Sequence, residues 1–265
     1  MRFVNVAVSD VASLLGCHAF ESKRNAIARI RRRGGVKWRP GKLSSRGRYD
    51  EFAELRALPA SREFEDRLNS DPLKFVSRAK GRDRLIAIEK KIRLDALGMA
   101  INACPKSISS FVNTEFGKAM EGWAVSRVEA KYGWSVQDRQ QFYQRTWTHP
   151  RDKSIKVCLV GFVDATFRDS YGNEGVLEIK CRRSGIGPVR QHEMIQLRTY
   201  LTLAKVQRGI LVQTHGKTIC KKVVRQNDNW FYKCVKPAID RVALHIANIK
   251  KERRRKSRCH SKGNA

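Results

Sequence analysis

The chain has 265 residues, with 55 Lys and Arg against 25 Asp and Glu, a formal charge of +30, 41% hydrophobic and 30% charged residues. That composition excludes a disordered tail and a membrane protein, and no apolar run approaches the roughly 20 residues of a bilayer span. The charge exceeds what solubility asks of a domain this size, so a polyanionic partner, most simply nucleic acid, is implied.

The apolar start Val4 to Leu15 is interrupted by Asn5, Ser9 and Asp10 and makes a poor signal peptide. Seven cysteines, with no C-x-x-C and no paired Cys/His spacing, read as free thiols in a reducing compartment. A soluble intracellular protein is expected, cytoplasmic or nuclear. Ser9-Asp10 caps a short helix that carries Val11, Leu14 and Leu15 and stops at Gly16. A second helix is predicted from about Glu21 to Arg33. From Lys23 through Arg48 there are eleven Lys and Arg and no acid, a run that no local ion pairs balance and that suits nucleic-acid phosphate. Gly34, Gly35, Pro40, Gly41 and Gly47 mark a loop. Trp38 and Tyr49 could stack on an unpaired base, though packing is the more ordinary role for each.

From Tyr49 to Leu97 apolar residues recur at spacings of three and four, notably Phe52, Leu55 and Leu58, then Leu85, Ile88 and Ile92, and predict a helical insertion over 49–110, with a connector from Asn102 to Ser110. Asn113 to Tyr132 reads as a strong helix ended by Gly133, in which Phe116, Met120, Trp123, Ala124 and Val128 form a stripe with Glu121 on its edge. A carboxylate in that place must be paired or must bind something. Period-two patterns then predict strands over Gln140–Thr148, Ile155–Phe167 and Gly175–Cys181, an antiparallel meander. A helix from Val189 to Ala204, strands Arg208–Gln213 and Thr218–Val224, and a helix from Trp230 to Lys250 complete the order. Residues 251–265 are basic, without apolar pattern, and read as disordered, with Arg253 to Lys256 as added DNA affinity or a nuclear address.

Asp164 stands among apolar residues of the second strand, and on the third Glu178 and Lys180 share one face while Leu177 and Ile179 take the other. Burying these charges is costly unless they pair or meet a ligand. Two carboxylates and the Ile179 carbonyl can converge on a hard cation such as Mg²⁺. Gln196 and Tyr200, four apart, lie on one side of the following helix.

The order Glu121, Gly161-Phe162-Val163-Asp164, Glu178-Ile179-Lys180, then Gln196 and Tyr200 resembles the PD-(D/E)XK nuclease superfamily in its RecB-like branch. Ser9 to Gly16, Gly117 to Ala124 and Gly175 to Cys181 narrow the resemblance to the YqaJ and lambda-exonuclease group, over roughly residues 8 to 213. The group's S-P-D-G is here Phe162-Val163-Asp164-Ala165, Arg168 to Glu174 is inserted, and Arg182-Arg183 replaces a typical proline. The resemblance implies an α/β fold, a restriction-endonuclease-like core with a central mixed sheet flanked by helices. A single domain over 1–250 is expected, its core 111–250.

The resemblance also implies metal-dependent hydrolysis of DNA, most simply by an exonuclease on linear double-stranded ends, with Mg²⁺ as cofactor and Mn²⁺ as a substitute. Asp164, Glu178 and the Ile179 carbonyl would hold the metal, with Glu121 supporting a second metal or a bound water. Lys180 would orient the attacking water, Gln196 would position that water or Lys180, and Tyr200 would buttress the helix or meet the DNA backbone. Lys23, Arg24, Arg29, Arg31, Arg32 and Arg33 occupy the region that meets the 5′-phosphate in the group, and Arg182 and Arg183 add charge near the scissile strand. A homotrimer and a single-strand annealing partner follow from the same resemblance. Some related nucleases carry an iron–sulfur cluster, but the clustered late cysteines it needs are missing. The same constellation serves an endonuclease or a single-strand or RNA nuclease equally well. A non-catalytic nucleic-acid binder fits the charge but leaves the carboxylates without a purpose.

Overall fold

The computed structural model describes residues 2–18, 21–33, 52–75, 80–99, 101, 105–182 and 185–262, with the side chains of 33, 80, 82, 105–106 and 250–262 excepted. Strand β1 (Arg2–Ala7), which the sequence reading missed, leads into helix α1 (Val8–Leu14), closed by Gly16 at φ +72°. Helix α2 (Lys23–Arg33) follows. Trp38, Tyr49 and the basic run beyond Arg33 lie outside the described residues.

The predicted helical region contains α3 (Ala53–Arg56), α4 (Pro59–Ser70), a 3-10 turn at Pro72–Phe75 and α5 (Lys80–Gly98). Its apolar spacing forms a core of its own, in which Leu55, Leu58, Phe64, Leu85 and Ile92 pack on Phe111 and Met120 of α6 (Pro105–Tyr132). Helix α6 therefore takes in the predicted connector from Pro105 onward, residues 102–104 lying outside the described residues. Proline suits a first helical position, and Ile108, Phe111 and Val112 are buried as a continuation of the stripe.

Next come β2 (Ser135–Gln137), also missed, β3 (Gln141–Thr148), β4 (Ile155–Val163), β5 (Ala165–Arg168) and β6 (Glu174–Cys181). The single strand predicted over Ile155–Phe167 is thus two strands, interrupted at Asp164. Helix α7 (Gln191–Ala204), β7 (Arg208–His215), β8 (Thr218–Arg225), α8 (Asp228–Trp230), a π-helical turn at Phe231–Val235 and α9 (Lys236–Lys262) complete the chain. Helix α9 runs well past Lys250, so the stretch expected to be disordered is helical to Lys262.

The α/β class is as expected, with mixed sheets flanked by helices. Among the described residues the strands form two hydrogen-bonded sections, β1-β4-β3 and β2-β5-β6-β7-β8. In the first, β1 is parallel and β3 antiparallel to β4. In the second, β6 and β7 are parallel and the remaining pairs antiparallel. Two parallel strands need a crossover, and α7 supplies it. Helices α1, α7 and α9 cover one side in a shared core with β1 and β4. The second half of α6 covers β5 to β7 through Ala124 and Val128, joined by Trp134 just beyond Gly133. Helix α6 therefore belongs to two cores, and Glu121 lies where they meet.

Candidate active site

The site begins at the break between β4 and β5. Their continuous apolar run is interrupted by Asp164, whose backbone carbonyl accepts the Gln140 N–H at 2.9 Å. Strand β5 pairs with β6 only as far as Ala165 opposite Leu177, so β6 from Glu178 onward has no ladder partner on that edge. There the Asp164 carboxylate takes over, with Oδ2 accepting the Ile179 N–H at 2.6 Å. The N–H and C=O of one strand residue point to the same side, which puts the Ile179 carbonyl on this open edge as well.

Glu178 is 1% exposed. Its Oε1 accepts from Lys180 Nζ at 2.6 Å, while its Oε2 is buried without a hydrogen-bond partner. A buried charged oxygen without a donor is unfavourable by more than an ordinary hydrogen bond is worth. Burial pushes the Asp164 carboxyl up to about 8, with the neighbouring Glu178 adding to the rise and Lys180 and the Ile179 N–H opposing it. Burial also raises Glu178 against the pull of Lys180. For Lys180 burial acts downward, but Glu178 and Asp164 overcome it and the ammonium is held above its usual range.

Of the other predicted residues, Glu121 approaches closely enough to raise both carboxyls electrostatically. Its own carboxylate is engaged by Gln140 Nε2 at 3.1 Å and by Arg139 at 3.6 Å. Gln196 donates to the Tyr200 hydroxyl at 3.4 Å. Tyr200 is buried, and burial, then Glu178 and Asp164, raise its hydroxyl. Its ring lies against Gly161: a Cβ there would stand 2.5 Å from Tyr200 Cε1 and 2.9 Å from Val8 Cγ2. Among the described residues no group of three or more His, Cys, Asp or Glu side chains is arranged to hold a metal. The oxygen donors at the strand break are Asp164, Glu178 and the Ile179 carbonyl.

The expected phosphate-contacting residues divide. Lys23, Arg24, Arg31 and Arg32 are exposed. Arg29 is not a free cation: it donates to the buried Asp10 carboxylate through Nε at 3.0 Å and Nη2 at 2.6 Å and also pairs with Glu21. The acids that balance it stand before the basic run in sequence, which a count within the run could not register. Arg182 is likewise tied, to Glu193 at 2.6 Å and to Gln213. Burial would lift Glu193, but the Arg182 guanidinium and the Arg190 N–H hold it below the usual carboxylate range. Arg183 and the Arg33 side chain lie outside the described residues. Sequence reasoning missed Arg139, Gln140, Glu193 and Gly161. Gly161 alone left a signal, a glycine inside a strand, which marks close approach by another group.

No family model matches the chain, and no curated protein matches it. Among solved structures it is similar to SSO0001, with a TM-score of 0.41 and 16% identity over 71% of this chain and 86% of that one. It is also similar to LHK-Exo, an alkaline exonuclease from Laribacter hongkongensis, with a TM-score of 0.41 and 15% identity over 75% and 98% of the two chains. The LHK-Exo complex with dAMP gives a TM-score of 0.41 and 14% identity over 74% and 97%.

Proposed function

We propose that the chain is a metal-dependent nuclease that hydrolyses phosphodiester bonds of DNA, acting as an exonuclease on linear double-stranded ends. The observation that carries this reading is the buried Glu178 Oε2, left without a donor beside an Asp164 carboxyl that burial and Glu178 drive toward its neutral form. A carboxylate pair of this kind is incomplete until a cation is bound. Mg²⁺, with Mn²⁺ as substitute, fits a donor set made of Asp164, Glu178 and the Ile179 carbonyl, all hard oxygens. When bound it supplies neutralisation of the scissile phosphate and an activated water.

The chain's own groups do the rest. Lys180, held by Glu178, orients the attacking water and offsets the negative charge on the phosphoryl oxygens of the pentavalent transition state during in-line displacement. Glu121 supports the water side of the site, with Arg139 and Gln140 fixing its direction. Gln196 positions the water or Lys180, and Tyr200 buttresses α7 against Gly161. The products are a 5′-phosphate and a 3′-hydroxyl. The exposed cations of α2 and the charge of +30 supply sequence-independent affinity. Assembly as a trimer and work beside a single-strand annealing protein belong to the same reading, and a monomer in sedimentation would remove the trimer.

The test is digestion of linear duplex, nicked, single-stranded and closed circular DNA with Mg²⁺, comparing wild type with Lys180→Ala and an EDTA control. Loss of linear duplex from its ends, absent in the variant, is expected. Cutting of closed circles would make the protein an endonuclease. Selective loss of single strands or of an RNA control would change the substrate class. No metal-dependent cleavage with binding intact would leave a nucleic-acid-binding scaffold.

A further inference from the structure

Helices α4 and α5 run antiparallel. The Ala60 N–H donates to Asp95 at 2.8 Å near the start of α4, and Glu63 pairs with Lys91 one turn later. Where α4 ends, a cleft of about 390 Å³ opens between it, the Pro72–Phe75 turn and α5. Arg67, Lys74 and Arg84 line this cleft, around an apolar wall of Phe75, Ala87 and Ile88. Phe75 and Ile88 belong to the core of the helical region, and Phe75 is fixed edge-on against Phe64. This end of the region adjoins the candidate active site: Leu68 and Asn69 of α4 border a smaller cleft with Lys118 and Ala119 of α6, less than one turn before Glu121.

Among the described residues no carboxylate lines the cleft. Its cations are anchored from its edges. Arg84 Nη1 donates to the Lys74 carbonyl at 2.6 Å, Lys74 stands 3.7 Å from Asp71, and Arg67 shares the single carboxylate of Glu63 with Lys91. From Lys74 to Arg84 the sequence carries five Lys and Arg against one Asp. A solvated basic surface would account for that charge but not for an apolar wall set between the cations. Such a cleft complements a ligand that is anionic at one end and flat and apolar at the other, and its volume falls in the small-ligand range of roughly 300–1,000 Å³. A nucleotide has this form. In a duplex both faces of a base are stacked, whereas an unpaired base has a face free for an apolar side chain.

We propose that the cleft between α4 and α5 binds one unpaired nucleotide of a nucleic-acid strand, with the base against Phe75, Ala87 and Ile88 and the phosphate between Arg67, Lys74 and Arg84. The proposal rests on nucleic acid being the substrate, but it does not require that cleavage occur. It gives the helical region a task, to hold a single-stranded segment beside the Glu121 side of the site. The protein then prefers a duplex that carries a single-stranded extension over a blunt one.

The experiment is fluorescence anisotropy in EDTA at constant salt with a labelled blunt duplex, the same duplex with a short dT extension on either strand, and a dT oligomer. Wild type is compared with Ala87→Glu, Arg84→Gln and Leu94→Glu. Each substitution lowers the net charge by one. Leu94 is exposed on the same helix but outside the cleft, and Ala87 is exposed where glutamate, a good helix former, is tolerated. Wild type should bind the extended duplex about five- to thirtyfold more tightly than the blunt one. Ala87→Glu and Arg84→Gln should lose most of that preference and weaken the dT oligomer, while changing blunt-duplex affinity no more than Leu94→Glu does. Absence of the preference in wild type, its retention in both cleft variants, or an equal loss in all three variants overturns the proposal. A polyglutamate peptide bound by wild type and not by Ala87→Glu, with no preference among the DNA probes, overturns it and makes the cleft a protein-docking site. Cleavage without the preference overturns it and leaves the nuclease reading intact. A preference lost in the cleft variants, without cleavage under any metal, supports the cleft and overturns the nuclease reading.

Discussion

Two clusters of carboxylates and cations lie on the same α/β framework and are finished differently. At the α1–α2 junction Asp10, 0% exposed, receives two bonds from Arg29 and the Ala7 N–H. Glu21 closes the cluster by taking Arg29 and the Ser13 hydroxyl. At the β4–β5 break Asp164, Glu178 and Lys180 provide two acids for one cation, and one oxygen of Glu178 has no donor. The first cluster satisfies itself and holds structure. The second leaves a buried carboxylate oxygen without a donor, the deficit expected where a ligand is to bind.

The largest expected difference is in activity. Glu178→Gln and Lys180→Ala should each lower metal-dependent cleavage by roughly 10²–10³-fold or more, with the melting temperature of Glu178→Gln unchanged or higher, whereas Asp10→Asn should keep activity per folded molecule. An Asp10 variant that folds but does not cut would erase the distinction.

Stability should invert the order. Asp10→Asn weakens two charge-assisted bonds from Arg29, which keeps Glu21 as its partner, and should remove about 1–3 kcal/mol in urea unfolding, less than for a fully buried pair because Arg29 is partly exposed.

A pH dependence of stability is expected from the β4–β5 cluster. The Asp164 carboxyl, pushed up to about 8, keeps its proton in the folded state over a range where the unfolded chain has lost it. Its contribution to stability is therefore full below the ordinary carboxylate range and lost as pH rises toward 8. Asp164→Asn should match wild type near pH 4 and exceed it at pH 8. Millimolar Mg²⁺ should raise the wild-type melting temperature at pH 8, an effect of about 1–3 kcal/mol, and should leave Asp164→Asn and Glu178→Gln unmoved. An equal shift in all three would place the cation elsewhere.

A packing change should reach the site without touching its charge. Gly161→Ala drives a Cβ into Tyr200 and Val8 and should cost about 1–3 kcal/mol, with a drop in cleavage that follows the displacement of α7. The smallest effect belongs to the exposed cations. Removing Lys23 or Arg24 should reduce the slope of log affinity against log salt by about one each, while Arg29→Ala should act through stability instead.

The sequence by itself determined the order of most helices and strands, the part of α6 from Asn113 onward, the Glu178–Ile179–Lys180 strand and the shared helix side of Gln196 and Tyr200, because each is written in a local period of two or of three to four. Strand β1 was illegible because its partner β4 is remote and parallel. Strand β2 was illegible because three residues carry no period. The break at Asp164 was hidden because a continuous apolar run does not record where its hydrogen-bonding partner changes. Whether a charge is satisfied was also beyond the sequence. Arg29 and Arg182 look like members of basic runs, and Asp10, Glu21 and Glu193 neutralise them only once α1, α2 and α7 have packed. Likewise, Glu178 is left with an open oxygen only because Lys180 reaches one oxygen of the carboxylate and no other donor packs against the second. Local pattern fixes which groups point where. The balance of donors against buried charge is a property of the assembled neighbourhood, and tertiary packing alone decided it.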